Sequence, residues 1–199
     1  REAQLDLLAR RDATVVVTGQ QVGLFLGPLY TLHKAATVVA RALQVTRLTG
    51  LPCVPVFWLQ TEDHDWAEIS RAEVLVKSGR HGLSLPPELP SAARVSVADR
   101  TLPGEVDGLV EELGRLLEPF PHGAEVVGLI GRHYRSGVPP GVAFAGVLSE
   151  LFAADGLVLL DPRTRAMARL AAPVLRRALL EGDDLARLLS ARAGELAAR

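Results

Sequence analysis

The sequence predicts an α/β fold with a doubly wound parallel sheet. Residues 14–17 and 53–59 are apolar, strand-like segments, and a long helical pattern lies between them after a loop that contains glycines. Strand, loop, helix and strand in this order form one βαβ unit, whose crossover is nearly always right-handed. A third apolar segment, at residues 156–162, predicts a further strand that ends at the same edge of the sheet.

The composition is that of a soluble globular protein, with 48% hydrophobic and 23% charged residues. The net charge of -1 gives no reason to expect a nucleic-acid or membrane partner. No apolar run approaches the roughly 20 residues of a membrane span. Cys53 is the only cysteine, which excludes an internal disulfide and favours the cytoplasm. Helical patterns reach both ends of the chain, so we expect a fragment of a longer protein.

The first core elements follow from local patterns. A helical pattern at residues 3–8 opens the chain. The β-branched run 14–17 predicts a buried strand that Gly19 ends. Pro28 suits the first turn of the next helix, and Gly50 suits its C-terminal end. The continuous apolar run 53–59 is typical of a central parallel strand.

Residues 70–138 predict an insertion between core elements. The predicted elements of the insertion are short strands at 74–76 and 95–97, a loop at 85–90, and helices at 105–117 and 125–134. We therefore expect the first part of the core at residues 1–69, the connecting insertion at 70–138, and the rest of the core at 139–199.

The last part of the chain returns to the core pattern. The predicted elements are a helix at 142–152, the strand at 156–162, a helix at 164–180 that contains Pro173, and a last helix that begins near Asp183. We expect this segment to begin a longer helical region and to leave the sheet incomplete at its C-terminus.

A first candidate site follows the first strand and leads into the helix. Ligands of open α/β sheets bind at the carboxyl ends of the strands, and a helix N-terminus attracts anions. Lys34 reaches such an anion only if its side chain runs back toward the helix N-terminus. The alternative is a tight strand-to-helix turn with a solvated lysine. The candidate binding residues here are Thr18, Gly19, Gln20, Gln21, Gly27, Pro28 and Tyr30.

A second candidate site follows the second strand, where Glu62, Asp63, His64 and Asp65 form a dense polar cluster after Trp58. Histidine exchanges protons near neutral pH, and carboxylates bind amines, sugar hydroxyls or divalent metals. Two alternatives stay open. The cluster is an acidic solvent loop in which Asp65 caps a helix, or it serves a metal-dependent hydrolase.

Asp161 ends the third predicted strand, so its side chain is expected at the same edge of the sheet. A turn residue before Pro162 is an equally good interpretation. Cys53 is expected to be part of the core, because it precedes a buried strand.

The motifs resemble those of the bacillithiol-biosynthesis cysteine-adding enzymes. The first block is residues 18–21 with Gly23, 27–31 and 33–34, the second is 55–59 with 62–65 and 68–69, and the third is 151–152 with 156–162. These blocks come in the family's order. The insertion matches only in its position, as the family's connecting segment.

The resemblance implies a Rossmann-like core with connecting inserts, a helical coiled-coil arm and a homodimer formed through that arm. It also implies a ligase that joins the carboxyl of cysteine to the amine of glucosaminyl-malate, in the last step of bacillithiol assembly. No cofactor is certain, and ATP or ADP follows from fold analogy alone. No metal is expected. The family's long C-terminal half is missing from this chain.

The roles that the resemblance implies are assigned residue by residue. His64, Glu62, Asp63 and Lys34 are expected to be catalytic. His64 or a neighbouring carboxylate would accept the proton of the amine, and Lys34 would stabilise charge at the carboxyl centre. The expected substrate- or nucleotide-binding residues are the seven of the first site together with Trp58, Asp65 and Asp161.

Overall fold

The computed structural model describes residues 2–10, 12–87 and 95–197. The chain forms two compact units, Arg1–Pro162 and Arg163–Arg199. The elements of the first unit are α1 (Glu2–Arg10), β1 (Thr14–Gln21), α2 (Tyr30–Thr49), β2 (Cys53–Gln60), α3 (Trp66–Ile69), β3 (Arg71–Val76), β4 (Gly79–Ser84), α4 (Glu105–Leu117), α5 (Gly123–His133), α6 (Pro140–Leu151) and β5 (Val158–Leu160). Those of the second unit are α7 (Arg165–Leu180) and α8 (Gly182–Ala197).

The three core strands form a parallel sheet in the order β1-β2-β5. Gln21 pairs with Gln60 at the ends of β1 and β2, and Trp58 pairs with Leu160 of β5. All three strands therefore end at the same edge. The α/β fold and the βαβ unit that the sequence predicted are both confirmed.

Helices cover the central strand β2 on both faces, because its side chains alternate between them. Phe57 lies fully buried on one face and packs against Phe144 of α6, with 6.1 Å between the ring centroids. Val54 and Val56 lie on the other face and pack against α1 through Leu7. This double burial explains the continuous apolar sequence of β2.

The prediction that β1 is buried and ends at Gly19 is wrong. The strand runs on to Gln21, and the side chains of Val15 and Val17 are 48% and 52% exposed, because β1 forms an edge of the described sheet. Gly19 does not end the strand but allows β1 and β2 to approach each other closely. A Cβ at this position would lie 2.8 Å from the carbonyl oxygen of Trp58, so the two strands require glycine for close approach.

The prediction of a second strand in the insertion, at residues 95–97, is also wrong. A short 3₁₀ helix spans Val97–Asp99 instead, because the side chain and backbone of Ser96 form its cap. The strand predicted at 74–76 exists as the end of β3, which pairs antiparallel with β4. The predicted loop at 85–90 lies partly outside the described residues. The helix predicted at 105–117 is confirmed as α4.

The second unit consists of α7 and α8, both of which were predicted. Thr164 caps α7 by accepting a hydrogen bond from the backbone N–H of Met167 (3.3 Å). Neither helix has a buried residue, and leucines such as Leu179 (84% exposed) face outward. Within the described part of the chain, no helix combines the length and apolarity that crossing a bilayer requires.

Candidate functional site

The end of β1 and the loop that follows β2 are joined by hydrogen bonds at the carboxyl edge of the sheet. The side-chain amide of Gln21 donates a hydrogen bond to Oδ2 of Asp63 (2.8 Å) and another to Oε2 of Glu68 (2.7 Å). One neutral donor group therefore bridges two carboxylates. This contact joins the amide-rich segment at residues 18–21 to the acidic loop at residues 62–65.

Lys34 belongs to the first candidate site and contacts Gly19 and Gln20, whereas the neighbouring Gln21 contacts the acidic loop. Its Nζ donates to the carbonyl oxygen of Gly19 (3.2 Å) and to Oε1 of Gln20 (2.9 Å). The amide of Gln20 in turn donates to the hydroxyl of Tyr30 (3.0 Å), and the Lys34 ammonium lies 5.0 Å from the centroid of that ring. The lysine side chain thus runs back toward the start of α2, the direction in which helical side chains tilt.

Asp63 is held as a carboxylate by three donors. Its Oδ1 accepts from the backbone N–H groups of His64 (2.6 Å) and Asp65 (3.2 Å), and its Oδ2 accepts from Gln21. The Gln21 hydrogen bond, followed by the His64 N–H, lowers the pKa of Asp63 below its ordinary value. Hydrogen bonds to the charged form favour that form. Asp63 is therefore an ionised anchor of the loop.

The other members of the acidic loop divide into two kinds. Asp65 caps α3, since its Oδ1 accepts from the N–H of Glu68 (3.0 Å). Glu62 is exposed, and the side chain of His64 is 52% exposed. The Glu62 carboxylate makes no hydrogen bond or ion pair with the residues that the structure describes. Glu62 and His64 are therefore the members that remain accessible to a ligand.

The carboxylates of the acidic loop point toward different partners rather than toward one metal position. Among residues 2–10, 12–87 and 95–197, no three His, Cys, Asp or Glu side chains converge as metal ligands would. Asp63 faces Gln21 and the backbone, while Asp65 faces the first turn of α3. A metal-dependent hydrolase would need several such ligands directed at one point.

Asp161 lies at the same edge, next to the end of β2. Its Oδ1 accepts a hydrogen bond from the hydroxyl of Thr61 (2.8 Å), a residue that is only 2% exposed. A cavity of about 620 Å³ opens here, with Gly141 and Ser149 of α6 in its wall. A larger cavity of about 850 Å³ lies between the acidic loop and the β3–β4 hairpin.

The insertion supplies contacts to the acidic loop that the sequence did not predict. The hydroxyl of Ser96 donates to the carbonyl oxygen of Thr61 (2.7 Å), and the N–H of Val97 donates to that of Asp63 (2.8 Å). These partners are separated by more than 30 residues, and no local pattern marks them. The insertion is thus part of the framework of the site.

The turn between β1 and α2 differs from a phosphate-binding loop. Three of its N–H groups are used within the protein: Gly23 donates to the carbonyl of Gln21 (3.0 Å), Leu26 to the hydroxyl of Tyr134 (3.1 Å), and Gly27 to the carbonyl of Leu24 (2.7 Å). A phosphate cradle needs such donors directed at the ligand. These three donors are therefore not directed at a phosphate.

The parallel sheet with helices on both faces defines the chain as a Rossmann-like domain. Residues 1–199 match the family model for the N-terminal Rossmann-like domain of the bacillithiol biosynthesis protein BshC. The chain therefore belongs to the BshC family. This is the family that the sequence motifs predicted.

Relatives from three bacteria carry the name "Putative cysteine ligase BshC". The chain is 40% identical to the Solibacter usitatus protein over 96% of its own length and 36% of the relative's. It is 37% identical to the Koribacter versatilis protein, over 94% and 34% of the two lengths. It is 35% identical to the Salinibacter ruber protein, over 88% and 32%. The chain thus spans about a third of the relatives that it matches.

Proposed function

We propose that this domain provides substrate-binding and proton-transfer groups for a ligase that joins the carboxyl of cysteine to the amine of glucosaminyl-malate. Membership of the BshC family and the names of its relatives support a ligase. The structural observation that supports the proposal is the Gln21 bridge to Asp63 and Glu68, which joins the end of β1 to the acidic loop.

Amide formation needs an unprotonated amine and an electrophilic carboxyl group. We assign proton removal from the amine to His64, with Glu62 two residues before it, because both side chains are exposed on the acidic loop. Asp63 takes a positioning role, because its oxygens already accept three hydrogen bonds. Asp65 supports the loop as the cap of α3.

Lys34 is the cation of the proposed site. An ammonium group has three donors, and Gly19 and Gln20 accept two of them. The remaining donor and the charge are suited to a substrate carboxylate or to the negative charge that develops on the cysteine carboxyl during attack. Because three N–H groups of the glycine turn are used internally, no step is assigned to a phosphate bound there. Activation of the carboxyl group by ATP remains an expectation from fold analogy.

The test is the double variant Glu62→Gln, His64→Ala in the complete gene product, assayed for amide product from cysteine and glucosaminyl-malate. We expect product formation to fall at least about 100-fold, the scale of positioned acid–base catalysis. The control is His122→Ala, Glu125→Gln, which alters another exposed histidine–glutamate pair, on α5 and the residue before it. Normal turnover in the first variant would refute the assignment.

Two rival functions are separated by binding measurements. A metal-dependent hydrolase would retain a stoichiometric divalent metal, and metal analysis before and after chelator treatment detects it. A non-catalytic binding domain would still be stabilised by its ligand, since a ligand that binds only the native state raises the unfolding temperature. Thermal shifts with cysteine, glucosaminyl-malate and ATP, together with absence of product, would favour a non-catalytic binding domain.

A further inference from the structure

The turn between β1 and α2 has an unusual backbone. Phe25, Leu26 and Gly27 all have positive φ values, of 50°, 72° and 64°. Residues with a Cβ rarely adopt this conformation, and they keep it only where surrounding contacts specify it. Such contacts must therefore exist for Phe25 and Leu26.

One side chain from the insertion makes these contacts. Tyr134 follows α5 directly and is 1% exposed. Its hydroxyl donates to the carbonyl oxygen of Gly23 (2.8 Å) and accepts from the N–H of Leu26 (3.1 Å). Its ring meets Phe25 edge to face, with the centroids 5.2 Å apart at 79°. A single phenol thus satisfies two buried backbone groups across the turn.

The turn fixes the distance between two parts of the candidate site. Gln20 and Gln21 precede it on β1, and Tyr30 and Lys34 follow it on α2. The 3.0 Å and 2.9 Å hydrogen bonds from Gln20 to Tyr30 and from Lys34 to Gln20 therefore span the turn. A change in its conformation would move the start of α2 against the end of β1.

We propose that Tyr134 is a positioning residue that holds this turn in its left-handed conformation and thereby places Lys34 on the Gln20 amide. Its kinetic consequence rests on the ligase function proposed above. The geometric consequence does not, because it concerns only the Lys34–Gln20 contact. The insertion then has a stated role, since its last residues before α6 determine the geometry of a loop that lies 108 residues earlier in the chain.

The test is Tyr134→Phe in the complete gene product. This change keeps the ring and its packing on Phe25 and removes only the hydroxyl. The first readout is acylation of the lysine amines by acetic anhydride, measured by peptide mass spectrometry. This chain has only two lysines, and the exposed Lys77 between β3 and β4 is the internal reference for Lys34. We expect Lys34 to react several-fold faster relative to Lys77 in the variant.

The second readout is amide exchange of a peptide covering residues 22–28, which should accelerate when Leu26 loses its acceptor. The third is kcat/KM for amide formation, measured well below the unfolding temperature. It should fall about 10-fold or more, because small displacements of positioned groups have effects of this size. The control is Ile130→Val, at a buried position of α5, the helix that Tyr134 follows, where the side chain has no polar contact to lose. It should lower the unfolding temperature without changing any of the three readouts.

The outcomes separate this proposal from the ligase function. An unchanged Lys34-to-Lys77 ratio, or unchanged exchange at residues 22–28, overturns the role of Tyr134 whatever the enzyme does. An increased ratio with unchanged kcat/KM overturns the positioning of Lys34 for the reaction. If the unmodified protein forms no amide product, the ligase function fails, and the acylation ratio and exchange still decide the geometric claim.

Discussion

Replacing Gln21 by methionine tests the contact that joins the two loops. Methionine keeps the length of the side chain and removes both hydrogen bonds of the amide. A hydrogen bond to a charged group contributes roughly 1.5–3 kcal/mol when sheltered, while bonds to exposed charges contribute about 0–1 kcal/mol. The Asp63 side chain is 26% exposed and Glu68 is exposed, so the two bonds together are expected to stabilise the fold by about 2 kcal/mol.

The assay is thermal unfolding of the protein at several pH values. A loss of about 2 kcal/mol lowers the midpoint by roughly 4–8 °C for a domain of this size. The lowered pKa of Asp63 means that its contribution is complete above the ordinary aspartate value of about 3.9 and is lost as the pH falls through the lower folded value. The gap between the native protein and the variant should therefore be full at pH 7 and narrow progressively below about pH 4.

A matched control separates the carboxylate contact from the change of side chain. Gln44→Met makes the same substitution on the exposed face of α2, where the amide oxygen accepts a hydrogen bond from Arg41 and contacts no carboxylate among the described residues. It should change stability by no more than about 0.5 kcal/mol. If Gln21→Met is no more destabilising than Gln44→Met, or if its effect is equal at pH 7 and pH 3, the bridge to Asp63 does not stabilise the protein.

Two further substitutions test the packing around the site. Gly19→Ala would place a Cβ 2.8 Å from the Trp58 carbonyl oxygen, so we expect a loss of about 1–3 kcal/mol in denaturant unfolding. Gly108→Ala, in open space on α4, should instead stabilise by about 0.5–1 kcal/mol, and equal effects of the two would contradict the close approach. Thr31 is fully buried with no partner for its hydroxyl among the described residues, so Thr31→Val should raise the unfolding midpoint by about 2–4 °C. A decrease would mean that the hydroxyl has a partner in solution.

The elements of the core could be predicted because their signals are local. Apolar continuity marked β2, and Gly50 marked the end of α2, where its φ is 72°. Strand β4 was missed because, within the segment Gly79–Ser84, only Leu83 is buried. The sequence thus predicts an element where its own residues carry the pattern, and fails where pairing with a neighbouring strand decides it.

The meeting of the two loops could be predicted from the topology of parallel strands, but the use of each group within the site could not. Acidic residues in sequence say nothing about which carboxylate faces the backbone. The sequence offered the helix cap by Asp65 as one alternative, but the hydrogen bonds of Asp63 are visible only in three dimensions. The same holds for the glycine turn, in which three N–H groups looked available in the sequence and are used internally.

The hydrogen bonds of the acidic loop explain how several carboxylates can lie close together in it. Asp63 and Glu68 would repel each other and any third carboxylate if nothing lay between them, and the neutral Gln21 amide satisfies both without adding a charge. The negative charge of the loop is thereby fixed close to the exposed His64. One neutral amide thus anchors the carboxylates of the acidic loop, and the His64 side chain beside Asp63 stays 52% exposed.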